Sequence, residues 1–126
     1  MDEFTWDVIG ATPEGHDIVY KQMSKIGMRT RADARVAAAR DAELTRARTE
    51  PHVCVIDVAG IKLSPKVYVY AKCMVREDPP MPLRTYIVNA PKWATKVHAV
   101  ISKLLAPEDV ATASLHAEPF SEALLG

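Results

Sequence analysis

Chemistry in this 126-residue chain rests on few residues: four histidines, two cysteines and a carboxylate at the end of an apolar run. His16, His52, His98 and His116 fall singly, without the spacing by which a helix or hairpin brings several imidazoles to one zinc ion, so no metal site is expected. Cys54 and Cys73 form neither a CxxC pair nor a disulfide framework, and suit buried thiols in a reducing compartment. Asp57 closes the run Val53-Cys54-Val55-Ile56, and a carboxylate at the carboxyl end of a strand stands where open α/β sheets place their ligands. Two roles stay open for it, a catalytic acid or an acceptor of backbone hydrogen bonds in the turn to Gly60, and the second is favoured. No Gly-rich phosphate loop, nucleophile elbow or Cys-His pair accompanies it. The chain is therefore expected not to be an enzyme and to need no cofactor.

Charge narrows the partners. The 16 basic and 16 acidic residues cancel, so the bulk electrostatics favour neither nucleic acid nor an anionic membrane, and any such contact must be local. Arg29, Arg31, Arg35, Arg40, Arg46 and Arg48 would suit a phosphate, but Asp33, Asp41 and Glu43 are interleaved with them. That pattern favours a solvated helix face, and no nucleic-acid partner is expected.

The elements that must carry these residues follow from patterning. Arg84 to Leu105 opens on the β-branched and aromatic run Thr85-Tyr86-Ile87-Val88 and breaks at Asn89-Ala90-Pro91. Trp93, Val97, Val100, Ile101 and Leu104 then recur at helical spacing, with Pro91 expected at the first helical position. Upstream, Gly15 closes a polar entry and Ile18-Val19-Tyr20 is a short strand that ends by Gly27. Thr30 is the expected N-cap of an Ala- and Arg-rich helix, with Asp33 in capping-box spacing and a thin apolar face of Val36, Ala37, Leu44 and Ala47. Val53 to Val58 reads as a strand covered on both faces.

Ser64-Pro65 then starts a segment in which local rules conflict, because Val67-Tyr68-Val69-Tyr70 prefers strand by propensity. A helix to about Glu77 is expected all the same, since two parallel neighbouring strands need a crossover of this size. Asp78-Pro79-Pro80-Met81-Pro82 ends it. Pro107-Glu108-Asp109 starts a short helical turn and Ser114 to Ala117 a last strand. Phe120, Ala123, Leu124 and Leu125 begin a further amphipathic helix. The 48% hydrophobic content suits one domain over residues 1–126. No run of about 18 apolar residues and no signal peptide is present, and a cytoplasmic protein is expected.

Four stretches carry a family likeness. Gly15 with Ile18-Val19-Tyr20, then Val53 to Gly60, then Tyr86-Ile87-Val88-Asn89-Ala90-Pro91, then Leu104-Leu105-Ala106-Pro107, resemble the CRAL-TRIO lipid-binding domains of phosphatidylinositol transfer proteins and of tocopherol and retinal carriers. The resemblance implies a mixed, mostly parallel α/β sheet with crossover helices, flooring an apolar cavity closed by a mobile gate helix. The acid and the lysine by which phosphoinositide-binding members hold a headgroup fall here on Pro80 and Thr112, and two wall aromatics on Ala94 and His98. The helices that usually precede the first strand and the segment that usually follows the last helix have no counterpart, so a shortened or fragmentary domain is expected.

The function that follows is binding or transfer of a small hydrophobic ligand or lipid. Its expected walls are Val67, Tyr70, Ala71 and Met74 on the crossover helix, and Val97, Ile101 and Leu104 after Asn-Ala-Pro. The same seven residues also read as the core-facing stripes of two helices. The alternative function is a ligand-free interaction module of the CRAL-TRIO type, an adaptor for small GTPases or their regulators. Transient contact with a membrane surface is a further expected interaction. The apolar stripe near Leu124 needs cover, and homodimerisation through this C-terminal end or a frayed last turn is expected.

Overall fold

The structure, a computed structural model, describes residues 6–125. A tight turn shapes the first hairpin: Thr12 N–H donates to the His16 carbonyl at 2.8 Å, Gly15 N–H donates to the Thr12 carbonyl at 2.9 Å, and Gly15 takes φ +87°, where a Cβ would be strained. This turn joins β1 (Asp7–Ala11) to β2 (Asp17–Gln22) as an antiparallel hairpin with a bulge between Val8 and Gly10. β1 was not expected. Every residue in it is exposed, so it lacks the one-sided alternation by which a strand is recognised.

Beyond the hairpin every pairing is parallel. β2 pairs with β3 (His52–Asp57), β3 with β4 (Arg84–Val88), and β4 with β5 (Ala113–Leu115), so strand order equals chain order. α1 (Arg31–Ala47), α2 (Pro65–Glu77), and α3 (Lys92–Ser102) with the one-turn α4 (Pro107–Ala111) make the three crossovers. Right-handed crossovers between strands that advance in one direction put all the helices on one face of the sheet. The fold class is therefore the expected one, a mixed and mostly parallel α/β sheet with crossover helices.

Helix starts show where local rules hold. The Thr30 hydroxyl accepts from Asp33 N–H at 3.1 Å while the Asp33 carboxylate accepts from Thr30 N–H at 3.2 Å, the complete capping box. Ser64 is extended at the N-cap of α2, but its Oγ is buried and finds no hydrogen-bond partner among the described residues. Pro91 is the N-cap of α3, one position before the expected one. In α2 the helix prevails over the strand propensity of Val67 to Tyr70, and Asp78 ends it with φ +46° and an N–H shared between the Met74 and Val75 carbonyls.

Two layers of core flank the sheet. On the helix face α1 packs through Ala34, Ala37, Ala38 and Ala42, all buried, and small side chains let it approach closely. Val36 and Ala47 are not on this face: Val36 is 56% exposed and Ala47 is exposed. On the opposite face Ile18, Val53, Val55, Tyr86 and Val88 form a second cluster, and Phe120, Leu124 and Leu125 pack against it. The expected C-terminal helix is a 3₁₀ turn, Glu122–Leu125. Leu124 and Leu125 of this turn pack, partly buried, against the chain's own sheet.

Candidate functional site

A cavity of about 320 Å³ lies on the helix face. Its floor is the sheet, through Ile56, Thr85, Ile87 and Leu115; α2 and α3 are its two walls, and the extended segment Pro79 to Pro82 also lines it. Ile87 is only half-buried because it faces this space, whereas Val55 and Val88, on the other face, are fully buried.

Six of the seven expected wall residues line the cavity: Val67, Tyr70, Ala71 and Met74 on α2, Val97 and Ile101 on α3. Leu104 does not. It is 53% exposed, just past the end of α3, and Leu105 lines the cavity instead. The helix stops at Ser102, so a helical count carried on to 104 selects the wrong leucine. Ala94 and His98 also line it, as does Pro80, while the Thr112 hydroxyl donates to the Asp109 carbonyl at 2.7 Å.

One part of the wall is polar. Lys21 projects from β2 beneath α1, where its Nζ lies 2.8 Å from Asp41 Oδ1 and donates to Asp41 Oδ2 at 3.1 Å. The two side chains are 8% and 2% exposed. The Tyr70 hydroxyl donates to the same Oδ2, Thr45 Oγ1 donates to the Asp41 carbonyl at 2.9 Å, and the ammonium sits 4.4 Å from the centre of the Trp6 ring. Burial opposes the Lys21 charge, but Cys54 and the Asp41 carboxylate outweigh it and hold the lysine pKa above its usual value. Burial raises the Cys54 thiol against the pull of the Lys21 charge, and Asp41 lies 2.8 Å from the lysine as its partner. Tyr70 is pushed well up by burial and by Asp41. This cluster was not expected from the sequence. A signal for it exists: Asp41 falls at helical spacing within the stripe Ala34, Ala37, Ala38, Ala42 and Thr45, all buried.

Asp57 lies on the other face. Its Oδ1 accepts from Ala59 N–H at 2.9 Å and from Asn89 Nδ2 at 3.0 Å, and the Tyr20 hydroxyl donates to Oδ2. Burial alone would raise its pKa; the three donors prevail and lower it. Burial and the hydrogen bond to Asp57 push Tyr20 up to about 12. An acid held ionised by three donors ties the ends of β2, β3 and β4 together, which is the turn-shaping role. On this face too, Ser114 Oγ lies 2.7 Å from His116 Nε2, and His116 Nδ1 lies 3.5 Å from Glu118. The Tyr86 ring meets those of His116 and Phe120 there, away from the cavity.

The crystal structure of Sfh5, a CRAL-TRIO protein, superposes on 90% of this chain with a TM-score of 0.59 and 13% identity. The fold is CRAL-TRIO-like. The chain spans 46% of that protein's length, and 19 solved chains match in all. No family model and no curated protein matches the sequence.

Proposed function

We propose that this chain binds a small hydrophobic ligand or lipid in the cavity between α2 and α3, and that it acts as a binder rather than a catalyst. The observation that carries the reading is the cavity itself, a space of about 320 Å³ lined by the sheet, two helices and a proline-rich segment, mostly through apolar side chains. Affinity would come from apolar area, at roughly 25 cal/mol per Å² removed from water, less the freedom lost on binding. Organic extraction of the purified protein followed by mass spectrometry tests this. Stoichiometric recovery of one hydrophobic species supports it, and none opposes it.

Ligand exchange would take place at a membrane surface. From Lys92 to Leu105 there is no acidic residue; Lys92, Lys96 and Lys103 are exposed, and Val100 and Leu104 are 41% and 53% exposed beside them. Such a face suits the interface of an anionic bilayer. Cosedimentation with anionic but not zwitterionic vesicles, lost on changing the three lysines to glutamate, is the expected result. A cytoplasmic location is proposed from the free Cys54 and Cys73.

The alternative, a ligand-free interaction module, draws on a different observation. Val8 and Ile9 are 52% and 49% exposed on the edge strand β1, where another chain could add a strand. Under that reading extraction returns no lipid and Ile9→Lys abolishes partner binding.

A further inference from the structure

An ion pair is buried in the wall of a cavity that is otherwise mostly apolar. Lys21 from β2, Asp41 from α1, Tyr70 from α2 and Cys54 from β3 meet there, and all four line the cavity. Such a pair is a poor device for stability alone. The hydration that two charges give up offsets their attraction, and apolar residues of the same volume often hold a fold as well or better. Coupled ionisable groups at a ligand-sized cavity point instead to a site.

We propose that Lys21, Asp41 and Tyr70 form the polar subsite of this cavity, and that the ligand is a single-chain amphiphile ending in an uncharged hydroxyl group; the inference rests on the cavity being a ligand site. The balance of donors and acceptors decides the chemistry. The Tyr70 O–H is committed to Asp41 Oδ2, and the Lys21 ammonium is turned to Asp41 and the Trp6 ring. What is left over is acceptor capacity on Tyr70 Oη, whose lone pairs are unused where Tyr70 lines the cavity, since Asp41 Oδ1 is buried against Lys21 Nζ at 2.8 Å. A ligand group placed here must donate. A carboxylate or phosphate brings only acceptors and a second negative charge toward Asp41, and an ammonium brings a second positive charge toward Lys21. A neutral O–H donates while leaving the pair balanced. The cavity volume, about 320 Å³, stands at the low end of the roughly 300–1,000 Å³ of small-molecule sites, which favours one chain over two.

The test is displacement of Nile red from the purified protein by three probes: 1-decanol, its isomer methyl nonyl ether, and decanoate. The ether keeps size and oxygen but cannot donate; decanoate adds the charge. Decanol is expected to displace the dye about tenfold more tightly than either, the ratio that one net hydrogen bond gives. In the apolar triple variant Lys21→Met/Asp41→Leu/Tyr70→Phe the dye still binds and decanol loses its advantage over the ether. Equal displacement of wild type by all three probes overturns the subsite and leaves the cavity reading standing. Failure of every probe to compete overturns both. Should the triple variant fail to fold, the wild-type ranking decides alone.

Discussion

Breaking the Lys21–Asp41 pair from one side and removing it whole should have opposite consequences for stability. The side chains keep 8% and 2% of their exposure, with Nζ 2.8 Å from Oδ1. Asp41→Ala leaves an ammonium in the wall with only a thiol and a ring face for company, and also strips the Tyr70 hydroxyl of its acceptor. Lys21→Met leaves a carboxylate with Tyr70 alone. Each single change is expected to cost about 3–5 kcal/mol, whereas Lys21→Met/Asp41→Leu, which removes both charges, is expected to be neutral or stabilising by up to about 4 kcal/mol. Urea unfolding followed by tryptophan fluorescence suits the measurement, because Trp6 lies against Lys21. The coupling should also show in pH. The Lys21 pKa is raised in the folded state above 10.5, so its stabilisation is fully present below the unfolded value and is lost as pH rises through the folded one. The double variant should lack that part of the alkaline loss. Additive single effects below about 1 kcal/mol would refute the reasoning, since they would mean that water reaches the pair.

The opposite face gives a mirror-image dependence on acid. Asp57 has a lowered pKa, so its contribution is present above the ordinary carboxylate value and lost as pH falls through the folded one; Asn89→Ala should cost about 1.5–3 kcal/mol near neutrality and less in acid, read by denaturant unfolding at two pH values. Val88→Ala, at a fully buried site, should cost about 2–3 kcal/mol, while Leu104→Ala, 53% exposed, should stay within about 0.5 kcal/mol in the same assay. If Pro80 and Thr112 take the places that the family resemblance assigns to the headgroup acid and lysine, vesicle-transfer assays should show no preference for phosphatidylinositol over zwitterionic lipid. Leu124→Asp places a charge against the sheet cluster of Val55 and Tyr86 and should lower the unfolding midpoint of the protein.

Strands that run continuously apolar, such as Val53 to Ile56, were legible because burial on both faces leaves no room for a polar residue, and the capping box at Thr30 was legible because its partners lie three residues apart. The same locality exposed the cavity walls on α2 and α3, where helical spacing alone selects one face. Leu104 failed for a local reason as well, since the last turn of a helix is where periodicity stops being a guide. β1 gave no pattern at all, because a two-residue-period signal needs one buried face and this strand has none. The polar wall could be settled only in three dimensions. Lys21 and Asp41 stand 20 residues apart, and Asp41 and Tyr70 another 29. In the sequence Asp41 is one more charge on an arginine-rich helix. Only the close packing of α1 beside α2, with its buried alanines turned inward, decides that this carboxylate faces the sheet and meets Lys21 and Tyr70 there.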